Sequence, residues 1–190
     1  MASGSDEGAD RTRTGLGSDR HPFGPGEPLR LGGIEIPGAP RLHGHSDGDV
    51  VLHAVADALL GAAALGDLGR LAPADARTPR GVASVVLLEV AMARLAASGW
   101  RPAGVDVVIV AARPRLAVHL DAMRDRLAAL LGVPSGRVSA KASTGNLQGP
   151  EGEGRAISAH AVVTIEPLGG RVAASDDARA RRPAVGEVPR

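Results

Sequence analysis

The sequence predicts a small α/β fold in which helices cover a layer of strands. Short apolar, β-branched runs of strand length alternate with Ala- and Leu-rich stretches of helical length. The elements follow the order strand, helix, helix, strand, helix, strand, strand, which suits a small α/β layer fold. A chain of 190 residues is also enough for one domain with its own core. Leu29 to Ile36 reads as a β-ribbon punctuated by Gly32 and Gly33. Asp49 to Gly66 reads as a helix, with Asp47 or Asp49 as its N-cap. Val82 to Ser98 reads as a second helix, capped by Ser84 and stopped by Gly99. Val105 to Ala111 is a β-branched run of strand length. Leu116 to Leu131 reads as a third helix, stopped by Gly132 and Pro134. Arg137 to Ala142 and Ile157 to Ile165 complete the strands. The last alternates poorly, as a strand buried on both faces would. Residues 1–13 are small and polar and residues 168–190 lack periodicity, so both are expected to be disordered tails around a folded domain of residues 14–167.

Composition narrows the chemistry. The chain has no cysteine, so disulfides and thiolate metal sites are excluded. A net charge of +1 gives no broad field for a polyanion or a membrane surface. Phe23 and Trp100 are the only aromatic residues, too few for base-stacking platforms, and no nucleic-acid partner is expected. No apolar run reaches the roughly 20 residues of a spanning helix, and the N-terminus has no apolar signal core. A cytoplasmic protein with no membrane partner is expected.

Two segments could supply metal ligands. Asp19 and His21, two apart on an extended segment, share a face. Asp49, His53 and Asp57, four apart on a helix, also share one, so His53 has a carboxylate one turn above and one below. Those acids suit the outer partners that fix a ligating imidazole. Two histidines and one carboxylate would leave a coordination position open, as working zinc sites do. The same pattern also fits a satisfied core histidine. His43, His45, Ser46 and Asp47 crowd just before the helix, where free N–H groups suit a phosphate, or where an ordinary capped loop would lie.

These residues also resemble a family. His45-Ser46-Asp47-Gly48-Asp49-Val50-Val51-Leu52-His53-Ala54 and the stretch from Asp57 through Gly66-Asp67-Leu68-Gly69 are similar to the signature of the 2-C-methyl-D-erythritol 2,4-cyclodiphosphate synthases. Gly17-Ser18-Asp19-Arg20-His21, Leu31-Gly32-Gly33-Ile34-Glu35-Ile36-Pro37, Val105-Asp106 and Arg113-Pro114-Arg115 extend the likeness over about residues 15–166. The resemblance implies a ferredoxin-like two-layer subunit with a mixed four-stranded sheet and a small β-ribbon. It implies homotrimers with active sites between subunits. The implied reaction converts 4-diphosphocytidyl-2-C-methyl-D-erythritol 2-phosphate to the cyclic diphosphate and CMP, in non-mevalonate isoprenoid biosynthesis.

By resemblance, zinc sits on Asp19, His21 and His53, and magnesium bridges the substrate diphosphate. His45 and Ser46 contact phosphate and erythritol, and Asp67 takes the ribose hydroxyls beside Gly69. The loop from Ala111 to Ala117, with Leu116, holds cytosine through its backbone, and Arg115 lies near the phosphates. Ser143, Thr144 and Asn146 face the diphosphate. His45 and Thr144 are the implied transition-state stabilisers.

The chain departs from the family at one loop. Asn146 stands where the family has a magnesium-binding glutamate, which should weaken that cation. Glu153 stands where it has an arginine, and should repel phosphate. Arg155 is expected to compensate only with a backbone shift. Pro150 replaces a phenylalanine, and Ala72-Pro73-Ala74-Asp75-Ala76 keeps one acid of two. Two readings follow: a divergent working synthase, or an impaired homologue that binds zinc and a cytidine nucleotide in a regulatory or altered role.

Overall fold

The computed structural model describes residues 12–169. Apart from their innermost residues, the two expected tails lie outside that range. A four-stranded sheet runs in the order β1-β6-β4-β5, from β1 (Arg13–Pro22), β4 (Trp100–Val110), β5 (Val138–Ser143) and β6 (Ala156–Pro167). β6 is antiparallel to both neighbours, and β4 and β5 are parallel, so the sheet is mixed as expected. β2 (Leu29–Leu31) and β3 (Ile34–Ile36) form the ribbon. The helices are α1 (Val50–Ala62), α3 (Ser84–Ala97) and α4 (Leu120–Leu131), with single turns α2 (Leu68–Leu71) and α5 (Gly149–Gly152). No helix among the described residues is long and apolar enough to cross a membrane.

α1 lies between the sheet and α3 and is buried on nearly every side, which its Ala- and Leu-rich sequence allows. Full burial of Leu52, Leu59 and Leu60 contributes roughly 2 kcal/mol each. β1, which the strand pattern missed, rests directly on α1. A Cβ at Gly17 would come within 1.9 Å of the Ala54 carbonyl oxygen, and one at Gly15 within 2.1 Å of that of Ala58. Only glycine permits this approach. Glycine, serine and aspartate give β1 little strand propensity, so its signal is spatial rather than periodic.

Several boundaries differ from the sequence reading. β1 begins at Arg13, inside the expected N-terminal tail. α1 stops at Ala62 rather than Gly66, because Ala64 turns left-handed (φ 58°) and Leu65 N–H donates to the Leu60 carbonyl. This is the closure that glycine usually signals, here carried by alanine. Ser84 is not a cap; Ala83 precedes the helix and no side chain caps it. The stretch Leu116–His119 is a 3-10 turn, and α4 follows it. β4 starts five residues early, at Trp100, and continues past a bulge at Pro102/Gly104. β6 does alternate. Ile157, Ala159, Ala161, Val163 and Ile165 are fully buried, while His160 and Val162 face outward. Its many alanines and valines on both faces hid the period. One sheet face therefore meets the helices. The other carries Leu16, Ser18, His160 and Val162, exposed among the described residues.

Candidate active site

The C-terminal end of β1 meets the N-terminal half of α1. The glycine contacts of β1 bring Asp19 and His21 beside His53, and the three ligand atoms lie within 4.8 Å of one another. Asp19 Oδ2 is 3.0 Å from His21 Nε2 and 2.8 Å from His53 Nδ1. The two imidazole rings are 5.4 Å apart and tilted by 55°. His21 Nδ1–H donates to the His43 carbonyl at 2.5 Å. A carbonyl can only accept, so Nδ1 keeps its proton, and in the neutral ring Nε2, which faces Asp19, carries the lone pair that a metal needs. Burial alone would lift the Asp19 carboxyl, but hydrogen bonds and charge from His21 and His53 hold it well below the usual range. The hydrogen bond with Asp19, opposed by burial, raises His21. An ionised carboxylate and two imidazoles with converging nitrogens fit a divalent ion of the zinc type.

The acids flanking His53 on α1 do not serve it as expected. Asp49 caps the helix by accepting Val51 N–H and Leu52 N–H, and also ties down the ribbon through Gly32 N–H and Gly33 N–H. Burial pushes its carboxyl up against the pull of these donors. Asp57 accepts Leu68 N–H at 2.7 Å, and burial raises it too. The outer partners of His53 are serines. Ser84 Oγ is 2.9 Å and Ser46 Oγ 3.1 Å from Nε2.

A cavity of about 270 Å³ opens over these groups. Asp19, His21, His45, Ser46, His53 and Gly69 line it, which gathers most of the expected metal and phosphate residues. His45 Nε2–H donates to the Thr78 carbonyl at 2.7 Å, which orients the ring. Ser46 is buried and its Oγ accepts Gly48 N–H, so this hydroxyl is turned toward His53. Asp67 caps α2 through Arg70 N–H beside the cavity.

The other expected residues lie elsewhere. Ser143 ends β5, Thr144 and Asn146 follow it, and Ala111, Arg115, Leu116 and Ala117 follow β4. These strand ends sit at the same end of the sheet as Asp19 and His21. However, β1 and β5 are opposite edges, three strand spacings or roughly 14 Å apart. Thr144 does not share the cavity of His45. Of the loop expected to offer backbone groups, Ala111 N–H already donates to Ser143 and Ala112 N–H to Glu151.

A family model described as the YgbB family matches residues 12–166. The chain belongs to the YgbB family. Relatives at high identity share one name. The 2-C-methyl-D-erythritol 2,4-cyclodiphosphate synthase of Gemmatimonas aurantiaca is 47% identical over 157 residues, covering 83% of this chain and 95% of the relative. That of Chromobacterium violaceum is 51% identical over 153 residues, covering 80% and 97%. A solved synthase of the same name is 38% identical, with a TM-score of 0.73 over 81% of this chain and all of the other. A CDP-bound form of such a synthase matches with a TM-score of 0.71 at 38% identity, over the same shares of the two chains. The resemblance carried by the 45–69 signature is thus shown across the domain.

In this YgbB chain the departing loop has its own logic. Gly145, Asn146 and Leu147 all take positive φ. Asparagine tolerates the left-handed region better than glutamate does, which explains the residue at 146 in conformational terms. Glu153 does not stand as a bare charge; it pairs with Arg155 across the left-handed Gly154. The expected repulsion is therefore neutralised locally. Glu151 accepts from Ser158 and lies 3.7 Å from Arg20, which fastens the loop to β6 and β1.

Proposed function

We propose that this chain converts 4-diphosphocytidyl-2-C-methyl-D-erythritol 2-phosphate to 2-C-methyl-D-erythritol 2,4-cyclodiphosphate and CMP, as a phosphorus–oxygen lyase of isoprenoid biosynthesis in the cytoplasm. One observation carries the reading: Asp19, His21 and His53 converge in a cavity shared with His45, in a chain of this family. In the reaction a 2-phosphate oxygen forms a bond to the β-phosphorus. The bond from that phosphorus to the α-phosphate bridging oxygen breaks, and CMP leaves with the electron pair. The protein has little covalent chemistry to do, so positioning and charge neutralisation carry the rate.

Asp19, His21 and His53 would hold zinc, which supplies a Lewis acid for a phosphate oxygen. His45, anchored through Thr78, presents its imidazole to the phosphates from the cavity wall. Asp67 and Gly69 receive the ribose. Thr144 and Ser143 bind the nucleotide diphosphate, with magnesium weakly supported by Asn146, and the Ala111–Ala117 loop holds the cytosine. These two groups of residues occupy opposite sheet edges, so each site is completed by a neighbouring copy. A homotrimer built on the outward face of β1 and β6 meets that requirement, and Leu16 and Val162 give the face apolar character. The pairing of Glu153 with Arg155 supports the working enzyme over the impaired homologue.

The test is CMP release from the phosphorylated cytidine substrate by purified protein with zinc and magnesium. Turnover together with about one zinc per subunit, both lost in His53→Ala, is the expected result. Zinc that survives that change would place the metal elsewhere. A monomer at micromolar concentration would remove the shared site.

A further inference from the structure

Ser84 opens α3, is fully buried, and makes no capping bond. Its Oγ instead touches Asp47 Oδ1 on one side and His53 Nε2, at 2.9 Å, on the other. We infer that Ser84 is a positioning residue for the metal centre, relaying the negative charge of Asp47 to the back nitrogen of His53.

The proton count gives the direction of the relay. A serine hydroxyl has one proton, and an ionised carboxylate only accepts. The Ser84 proton therefore goes to Asp47, and the oxygen turns a lone pair toward His53. In a metal-bound centre His53 Nε2 is then the N–H nitrogen, which leaves Nδ1, 2.8 Å from Asp19 Oδ2, as the nitrogen whose lone pair a metal would take. Metal-bound histidines commonly give their second N–H to a carboxylate, which fixes the ring and makes it more basic. Here a buried hydroxyl stands between ring and carboxylate. Asp47 belongs to the loop that carries His45, so the same contact ties the metal imidazole to the phosphate-facing loop. Ser46 Oγ, at 3.1 Å, is a second and longer neighbour of Nε2 and already accepts Gly48 N–H.

The inference rests on the proposed metal centre, and the experiment separates the two. Zinc affinity is measured by chelator competition in the wild type, Ser84→Ala, Asp47→Ala and Leu88→Val, with thermal unfolding of each metal-free protein alongside. Leu88 is a buried residue of the same helix that takes no part in the relay, so it reports packing alone. Ser84→Ala should bind zinc about 10- to 100-fold more weakly. Asp47→Ala should weaken it in the same direction, and covers the case in which Ser84→Ala does not fold. Leu88→Val should lower the unfolding temperature and leave zinc affinity unchanged. In the zinc-loaded wild type, the His53 Nε2 proton should appear in the NMR spectrum protected from solvent exchange, and Ser84→Ala should lose that protection. A wild type without zinc refutes the metal centre itself and the relay with it. A zinc-binding wild type whose affinity is untouched in Ser84→Ala, or matched in its loss by Leu88→Val, refutes the relay alone.

Discussion

Asp49 divides two carboxylate oxygens among four backbone N–H groups, two at the start of α1 and two in the β-ribbon. Asp49→Ala should cost about 3 kcal/mol in denaturant unfolding, more than a simple cap, because buried donors in two elements are left bare. Its position before an apolar periodic stretch made the capping role legible; the ribbon contact was not, since it joins residues 16 apart in the chain. His21 carries the pH dependence. Its pKa is raised in the fold from the ordinary 6.5 by Asp19. In the metal-free chain the pair stabilises fully below that ordinary value, and the contribution fades as pH rises through the raised one. Zinc needs the unprotonated ring, so zinc affinity should fall as pH drops through the raised His21 value, starting above the pH at which an unperturbed histidine would compete. A titration of zinc affinity against pH reads this directly. Asn146→Glu should lower the magnesium needed for half-maximal CMP release, by restoring a charged ligand. It should also lower the unfolding temperature by about 3 °C, because glutamate fits the left-handed backbone less well.

At the scale of elements, the site depends on how closely β1 approaches α1. Gly17→Ala places a methyl group 1.9 Å from a helix carbonyl, with backbone on both sides. It should destabilise by about 3 kcal/mol and weaken zinc binding, because Asp19 and His21 move away from His53 as β1 lifts. Circular dichroism melts and zinc titration test both effects. The helices and the hydrophobic strands were legible from apolar runs of helical or strand length bounded by glycine and proline. β1 was not, although its Asp19 and His21 were read as a pair on one face. A strand that packs through glycine leaves no hydrophobic trace in the sequence. Ser84 shows the same limit from the other side. A serine at a helix start signals a cap, and nothing local separates that from a hydroxyl committed to a distant imidazole.

At the scale of the molecule, the residues proposed for metal and for nucleotide were both legible as motifs, and the resemblance implied sites between subunits, but the edge of the sheet on which each set falls was not legible. Only the strand order β1-β6-β4-β5 puts them on opposite edges of one sheet. The division bears on inheritance as much as on chemistry. On the proposed function, a chain broken only at His53 keeps the nucleotide edge intact, and a chain broken only at Thr144 keeps the metal edge intact. Each variant, as the proposed homotrimer, should be inactive alone. Unfolded together in equal amounts and reassembled, the two should recover CMP release at roughly a quarter of the sites, where a sound metal edge meets a sound nucleotide edge across a head-to-tail contact. No recovery in verified mixed trimers would place the whole site within one chain. With recovery, two such defective alleles of this gene in one cell would complement each other, because the unit that mutation breaks is half of a site rather than a whole one.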